Sequence, residues 1–319
     1  MGQIPDLLRV GDNVAIVATA RKISPAEIQP AMQLFESWGL HVLLPKNIFA
    51  ERDQFAGSDE QRAADLQWAL DNVDVKAVFC ARGGYGTVRI IDRIDFSRFA
   101  RHPKWIVGYS DVTVLHSHIR TLLGIPTLHA TMPLNIPDDA CTHTYPATES
   151  LRKMLFEGHV SYQWAAGSNS KFHFSTQRSE SLPTTVSDVV VGGNLSILYS
   201  LCGSKSDIDT EGKILFIEDL DEYLYHIDRM MQNLRRTGKL NRLQALVVGG
   251  MTDMHDNTIP FGKTAEEIVL DAVKDYGYPV CFNAPFGHLA TDNCAIALGH
   301  PIKLQCDSEG NVTIGQTLK

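Results

Sequence analysis

No stretch of the sequence reaches the roughly 18 apolar residues that suggest a membrane-spanning helix. The opening residues, MGQIPDLLRVGD, lack the basic segment and apolar run of a secretory leader. There is no surplus of positive charge: the net charge is -8 and the pI about 5.8. That argues against non-specific binding to nucleic acid or to anionic membranes. None of the six cysteines (Cys80, Cys141, Cys202, Cys281, Cys294, Cys306) forms a CxxC pair. Cys80, Cys202 and Cys281 stand in apolar runs, where buried free thiols are common. Free thiols in a reducing cytoplasm are therefore the expectation. The chain has no internal repeat, no low-complexity tract and no helical HExxH.

What is present is a balance of 44% hydrophobic and 21% charged residues over 319 positions, enough for one large or two ordinary domains. Val14 to Ala18 is a continuously apolar, β-branched run, as in a strand covered on both faces. Ser24-Pro25 with Glu27 opens a helix that ends near Gly39. A strand over Leu40–Leu44, a helix capped by Ser58, a strand over Val75–Cys80, a glycine-rich loop and a further helix follow. A strand over Trp105–Gly108, another helix and a strand over Pro126–Ala130 complete the first block. This alternation is that of a doubly wound parallel sheet, which binds ligands at the carboxyl ends of its strands. From about 160 to 185 polar residues dominate, with Trp164, Phe172 and Phe174 among them. A second block then gives a strand, glycine turn and helix start over 189–196. Further strands follow over Lys213–Ile217, Leu246–Val248 and Val280–Phe282, with helices over Tyr223–Leu234 and Ala265–Val273 and an alternating tail from Ala295. The expected organisation is a domain over 1–160, a linker over 161–186 and a smaller C-terminal α/β domain over 187–319 with some antiparallel strand.

Ser110 stands where the Trp105–Gly108 strand turns into a helix carrying Val112, Leu115, Ile119 and Leu122. Such a turn can lift a nucleophile above a sheet, with the next backbone N–H free to hold an oxyanion. A serine there can equally be an ordinary helix N-cap. The loop Ala81-Arg82-Gly83-Gly84-Tyr85-Gly86 also lies at a strand end and presents backbone N–H groups. It has neither the GxGxxG nor the GK[ST] pattern of a nucleotide site, so a plain βα turn competes with an anion cradle. Glu218 ends an apolar strand and His288 follows a Pro285-Phe286-Gly287 turn. Serine, acid and histidine thus all fall at strand ends, in one of the chain orders known for a hydrolytic triad. His255 with Asp253 and Asp256 offers a weaker metal alternative.

Taken together, Ala81-Arg82-Gly83-Gly84-Tyr85-Gly86, Gly108-Tyr109-Ser110-Asp111, Gly192-Gly193-Asn194-Leu195, Ile217-Glu218-Asp219 with Glu222, Tyr225 and Asp228-Arg229, and Pro285-Phe286-Gly287-His288 resemble the LD-carboxypeptidases over almost the whole chain. The resemblance implies a flavodoxin-like N-terminal domain, a smaller C-terminal α/β domain and a homodimer. It implies Ser110 as nucleophile, His288 as base and Glu218 as its orienting acid. The oxyanion hole would be Asp111 N–H with an N–H of Gly83 or Gly84, and no metal or other cofactor is needed. With Ser110 and His288 in different domains, domain motion could assemble or break the site. Members act on muropeptides, removing a terminal D-Ala in cell-wall recycling, or on acyl-nucleotide links in microcin immunity. The first is the expected substrate, with Arg82 and Tyr85 as substrate-binding residues and a guanidinium suited to a free carboxylate. The second would want an aromatic platform such as Trp164. A non-catalytic ligand-binding module is the rival from another class.

Overall fold

In the computed structural model, which describes residues 2–164, 184–307 and 311–318, five short apolar strands pair in parallel. They are β1 (Asn13–Val17), β2 (His41–Leu43), β3 (Val75–Cys80), β4 (Trp105–Gly108) and β5 (Thr127–His129). Their spatial order is β2-β1-β3-β4-β5, the flavodoxin-type order with its switch point between β1 and β3. Apart from Lys76 and some polar strand ends, the strands are apolar because both faces are covered. Val14, Ile16, Phe79 and Val107 pack with Ile28, Leu34 and Phe35 of α1 (Pro25–Ser37). Their neighbours Ala15, Val17, Val78 and Ile106 point the other way. There they meet Leu66 and Leu70 of α2 (Asp59–Asp71). The two helices begin where the sequence says. Glu27 and Gln61 each close a capping box, with Ser24 and Ser58, so that two orphan N–H groups are satisfied at each helix start.

The chain after the glycine-rich loop departs from expectation. Instead of one helix there are two single 3₁₀ turns, Thr87–Arg89 and Ile91–Arg93, and the five-residue α3 (Ser97–Arg101). The run Thr87, Val88, Ile90, Ile91 is β-branched and poor in helix propensity. Its start is also held from outside: Asp111 accepts the Thr87 N–H at 2.9 Å and Arg62 donates to the Gly86 carbonyl at 2.9 Å. After β4 come α4 (Thr113–Leu123) and, beyond β5, α5 (Pro146–Phe156).

A second, seven-stranded sheet is mixed. Its strands are β6 (His159–Trp164), β7 (Thr184–Asn194), β8 (Ile214–Leu220), β9 (Ala245–Thr252) and β10 (Val280–Cys281), then, beyond the short β11 (Ile296–Leu298), β12 (Pro301–Cys306) and β13 (Val312–Thr317). The order is β10-β9-β8-β7-β12-β13-β6, parallel from β7 to β10 and antiparallel from β7 to β6. The glycine turn expected at Gly192-Gly193 is strand: β7 runs through both to Asn194. A Cβ on Gly192 would lie 1.9 Å from the Phe216 carbonyl oxygen, so the pair permits close strand packing rather than a bend. Asn194 then caps α6 (Leu195–Leu201) by accepting the Ile197 N–H at 3.1 Å. Next come α7 (Leu224–Arg236) and α8 (Ala265–Val273), which cover β8 and β9 through Ile227, Met231, Ile268 and Val269.

The two sheets are fastened to each other. Strand β11 pairs antiparallel with β5, at the edge of the first sheet, with Ile296 opposite His129. Asn194 N–H donates to Thr113 Oγ1 at 3.0 Å, tying β7 to the start of α4. Phe172 and Phe174 lie outside the described residues.

Candidate active site

Every residue of β4 is buried, and the chain leaves it through Tyr109 into a turn at Ser110–Val112. Ser110 sits there with φ +63°, the left-handed region that favours glycine. A serine so placed carries about 1–3 kcal/mol of strain. It does not cap α4: the cap position is Val112, and no side chain hydrogen-bonds that helix start. The cap reading of Ser110 is thereby replaced by a strained strand-to-helix turn of the kind that lifts a hydroxyl clear of a sheet. Asp111 N–H belongs to the first turn, where backbone donors have no intrahelical acceptor. The Asp111 carboxyl is buried, which pushes its pKa up against the opposing pull of the Thr87 N–H.

Gly83 and Gly84 follow β3 and run alongside this turn. A Cβ on Gly83 would stand 2.8 Å from Ser110 Cβ and 2.9 Å from its Oγ. The loop is held from below by Arg62 of α2. Its fully buried guanidinium donates to the Thr19 and Gly86 carbonyls at 2.6 and 2.9 Å and pairs with Asp59. Arg82 borders the same cleft, but its Nη1 donates to the Lys22 carbonyl at 3.1 Å and lies 3.6 Å from Glu27 Oε1. Tyr85 is not brought into the cleft: it is exposed, beside Phe55.

Glu218, near the end of β8, is fully buried, and its Oε2 lies 2.6 Å from Nδ1 of His288. His288 is carried by the loop after β10, with Thr252 Oγ1 donating to its carbonyl at 2.9 Å. The Tyr109 ring packs edge-on against the imidazole at 4.8 Å. Burial works against an imidazolium here. The hydrogen bond and charge of Glu218, with the charge of Asp219, outweigh it, and His288 titrates above the ordinary histidine value. Asp219 is itself buried and held by Asn194 Nδ2, the Ser196 N–H and the Ser196 hydroxyl at 2.9–3.0 Å. Burial, then the charge of Glu218, push it up to about 6.

These groups meet in one cleft of about 520 Å³ between the carboxyl ends of the parallel strands of the two sheets. Ser110, Asp111, Gly83, Gly84, Arg82 and His288 all line it, and Glu218 stands behind His288. No hydrogen bond joins Ser110 to His288 among the described residues; such contacts often tighten only around a substrate. One wall carries Arg21 and Arg82, the other Asp219, Asp221 and Glu222. Sequence reasoning did not pick out Arg21, Asn135, Asn194 or Asp219. For Asp219 and Asn194 a signal existed, since both lie inside the motifs at strand ends; for Arg21 there was none. Among the described residues no three His, Cys, Asp or Glu side chains are grouped as a metal ion would require. His255 instead pairs with Asp221 at 2.5 Å. Trp164 lies away from the cleft, its indole N–H donating to the Phe282 carbonyl at 3.1 Å. No helix among the described residues is long and apolar enough to cross a membrane.

The whole arrangement has counterparts. Residues 14–130 match the LD-carboxypeptidase N-terminal domain and residues 188–304 the LD-carboxypeptidase C-terminal domain. The chain is 35% identical over 305 residues to the "Probable murein peptide carboxypeptidase" of Bacillus subtilis (strain 168), covering 93% of this chain and 89% of that one. The crystal structure of muramoyltetrapeptide carboxypeptidase from Oxalobacter formigenes superposes with a TM-score of 0.81 at 25% identity, over 96% of this chain and 98% of that one. The structure of MccF in complex with glutamyl sulfamoyl guanosine shares the fold, with a TM-score of 0.82 at 19% identity, over 99% and 98%.

Proposed function

This chain belongs to the LD-carboxypeptidase family, and we propose that it is a serine L,D-carboxypeptidase that removes the terminal D-Ala of murein tetrapeptides. The observation that carries the proposal is the buried Glu218–His288 pair, which shares one cleft with a serine held at φ +63°. A serine hydroxyl is a weak nucleophile until a base takes its proton. His288 has Nδ1 committed to Glu218, which leaves Nε2 as the nitrogen to accept that proton. Glu218 stabilises the imidazolium that results. Ser110 Oγ attacks the carbonyl carbon of the L–D amide. The oxyanion is held by Asp111 N–H and an N–H of the Gly83-Gly84 pair, donors worth about 10²–10³ in kcat each. His288 then protonates the leaving amine, D-Ala departs, and water, activated by the same imidazole, hydrolyses the Ser110 ester.

The charge of the cleft supports a peptide over an acyl-nucleotide. Cationic Arg21 and Arg82 face acidic Asp219, Asp221 and Glu222, which suits a substrate carrying both a carboxylate and an ammonium. Besides His288, the only aromatic side chain lining the cleft among the described residues is Tyr109, which is buried against that imidazole and gives no open face for a base. The test is a side-by-side assay of a murein tetrapeptide and a glutamyl-sulfamoyl nucleoside. The proposal expects kcat/KM to favour the tetrapeptide by at least about 10²-fold, roughly 3 kcal/mol; parity or the reverse order overturns it.

A further inference from the structure

We propose that Arg21, not Arg82, receives the substrate's terminal carboxylate, an assignment that rests on the peptidase function above and adds to it the group that measures the chain end. Arg21 lies on the loop after β1 and Arg82 on the loop after β3, so the two flank the switch point of the first sheet. That crevice is where sheets of this kind bind ligands. Both arginines line the cleft that holds Ser110. They differ in what they already hold. Arg82 is committed to the Lys22 carbonyl and Glu27. The Arg21 guanidinium has no hydrogen bond or ion pair among the described residues.

The Arg21 backbone is fixed although its head is free. Arg21 bridges Phe55, Ala56 N–H donates to the Ala20 carbonyl at 3.1 Å, and Lys22 N–H to the Gln54 carbonyl at 3.0 Å. Its stem lies across Gly84: a Cβ there would come within 2.6–2.8 Å of Arg21 Cγ, Cδ and Nε. The glycine pair thus has two separate duties. Gly83 makes room for Ser110, and Gly84 makes room for Arg21. A fixed base and an unclaimed planar fork suit bidentate capture of a carboxylate. The acidic wall opposite repels that carboxylate, which orients the peptide with its C-terminus toward Arg21.

The test compares kcat/KM for a murein tetrapeptide and for its C-terminal amide, in the wild type and in Arg21→Gln, Arg21→Lys and Arg82→Gln. Loss of a charge-assisted bond to substrate is worth about 10–10²-fold. Arg21→Gln is expected to lose that factor on the acid and little on the amide, so that the acid preference collapses. Arg21→Lys is expected to recover part of it, and Arg82→Gln to keep it. A merely structural role would lower both substrates together. An unchanged acid preference in Arg21→Gln, or its loss in Arg82→Gln instead, overturns the assignment while leaving the peptidase function intact. A wild-type protein that cleaves neither substrate overturns both.

Discussion

Gly83 and Ser110 are so close that a single added carbon on the glycine would stand 2.8 Å from Ser110 Cβ and 2.9 Å from its Oγ. Gly83 does not occupy the left-handed region, so alanine is acceptable to its backbone and the clash with Ser110 is the whole cost. Gly83→Ala is therefore expected to keep the fold but displace the nucleophile by several tenths of an ångström. A full 1 Å misplacement costs about 10²-fold in kcat, so this smaller shift is expected to cost about 10-fold or more. Steady-state kinetics beside a thermal melt would check it: kcat falls while the melting temperature holds.

The Glu218–His288 pair makes a statement about pH. A base must be neutral to act, and His288 is raised above the ordinary histidine value by Glu218 in spite of its burial. Activity should therefore rise with pH through a limb above about 6.5, not at or below it as the unperturbed side chain would give. Glu218→Gln removes the raising charge and leaves the burial that lowers it. Its acid limb should move to lower pH, with kcat down by about 10²–10⁴. A profile of kcat/KM against pH in which the limb stays put would contradict the pairing.

Ser110 carries backbone strain for its position. Glycine relieves it and alanine does not, so Ser110→Gly should be more stable than Ser110→Ala by about 1 kcal/mol. That reverses the order found in an ordinary helix, where glycine is the worse residue. Urea denaturation of the two inactive variants would decide it.

Arg62 holds the loops after β1 and β3 at once, through the Thr19 and Gly86 carbonyls. Arg62→Met leaves the buried Thr19 carbonyl without its donor and the Gly86 carbonyl with the Arg89 N–H alone, while Asp59 keeps the Arg89 guanidinium. A loss of about 1–3 kcal/mol is expected, the usual scale for leaving a buried acceptor unsatisfied. The same denaturation assay would measure it, and a loss below about 1 kcal/mol would show that water replaces the guanidinium.

Much of the frame was legible because its signals are local. Ser24 with Glu27 marks a helix start within four residues, and the apolar, β-branched run at Val14–Val17 reads as a strand covered on both sides. The site was legible in a different way. Neither Glu218 nor His288 stands out alone, and they are 70 residues apart; their joint position at strand ends and the resemblance to the LD-carboxypeptidases pointed to the pair. What was not legible depended on packing between distant segments. Gly192 and Gly193 look like a turn until the Phe216 carbonyl is placed against the first and the Thr113 side chain against the second. Strand β11, three residues long, crosses to the other sheet, and nothing in Ile296–Leu298 announces its partner. Arg21 reads as a surface arginine until Gly84 is found beneath its stem. The strain at Ser110 is backbone geometry that no residue type reports, since serine is rare rather than forbidden there.

The central claim is that Ser110 is the nucleophile, and free D-Ala tests it most directly. The measurement is mass-spectrometric quantification of D-Ala released from a murein tetrapeptide by the wild type and by Ser110→Ala under the same conditions. Steady release by the wild type and a loss of at least about 10³-fold in the variant are expected. Release that survives Ser110→Ala undiminished, or no release by the wild type, would contradict it.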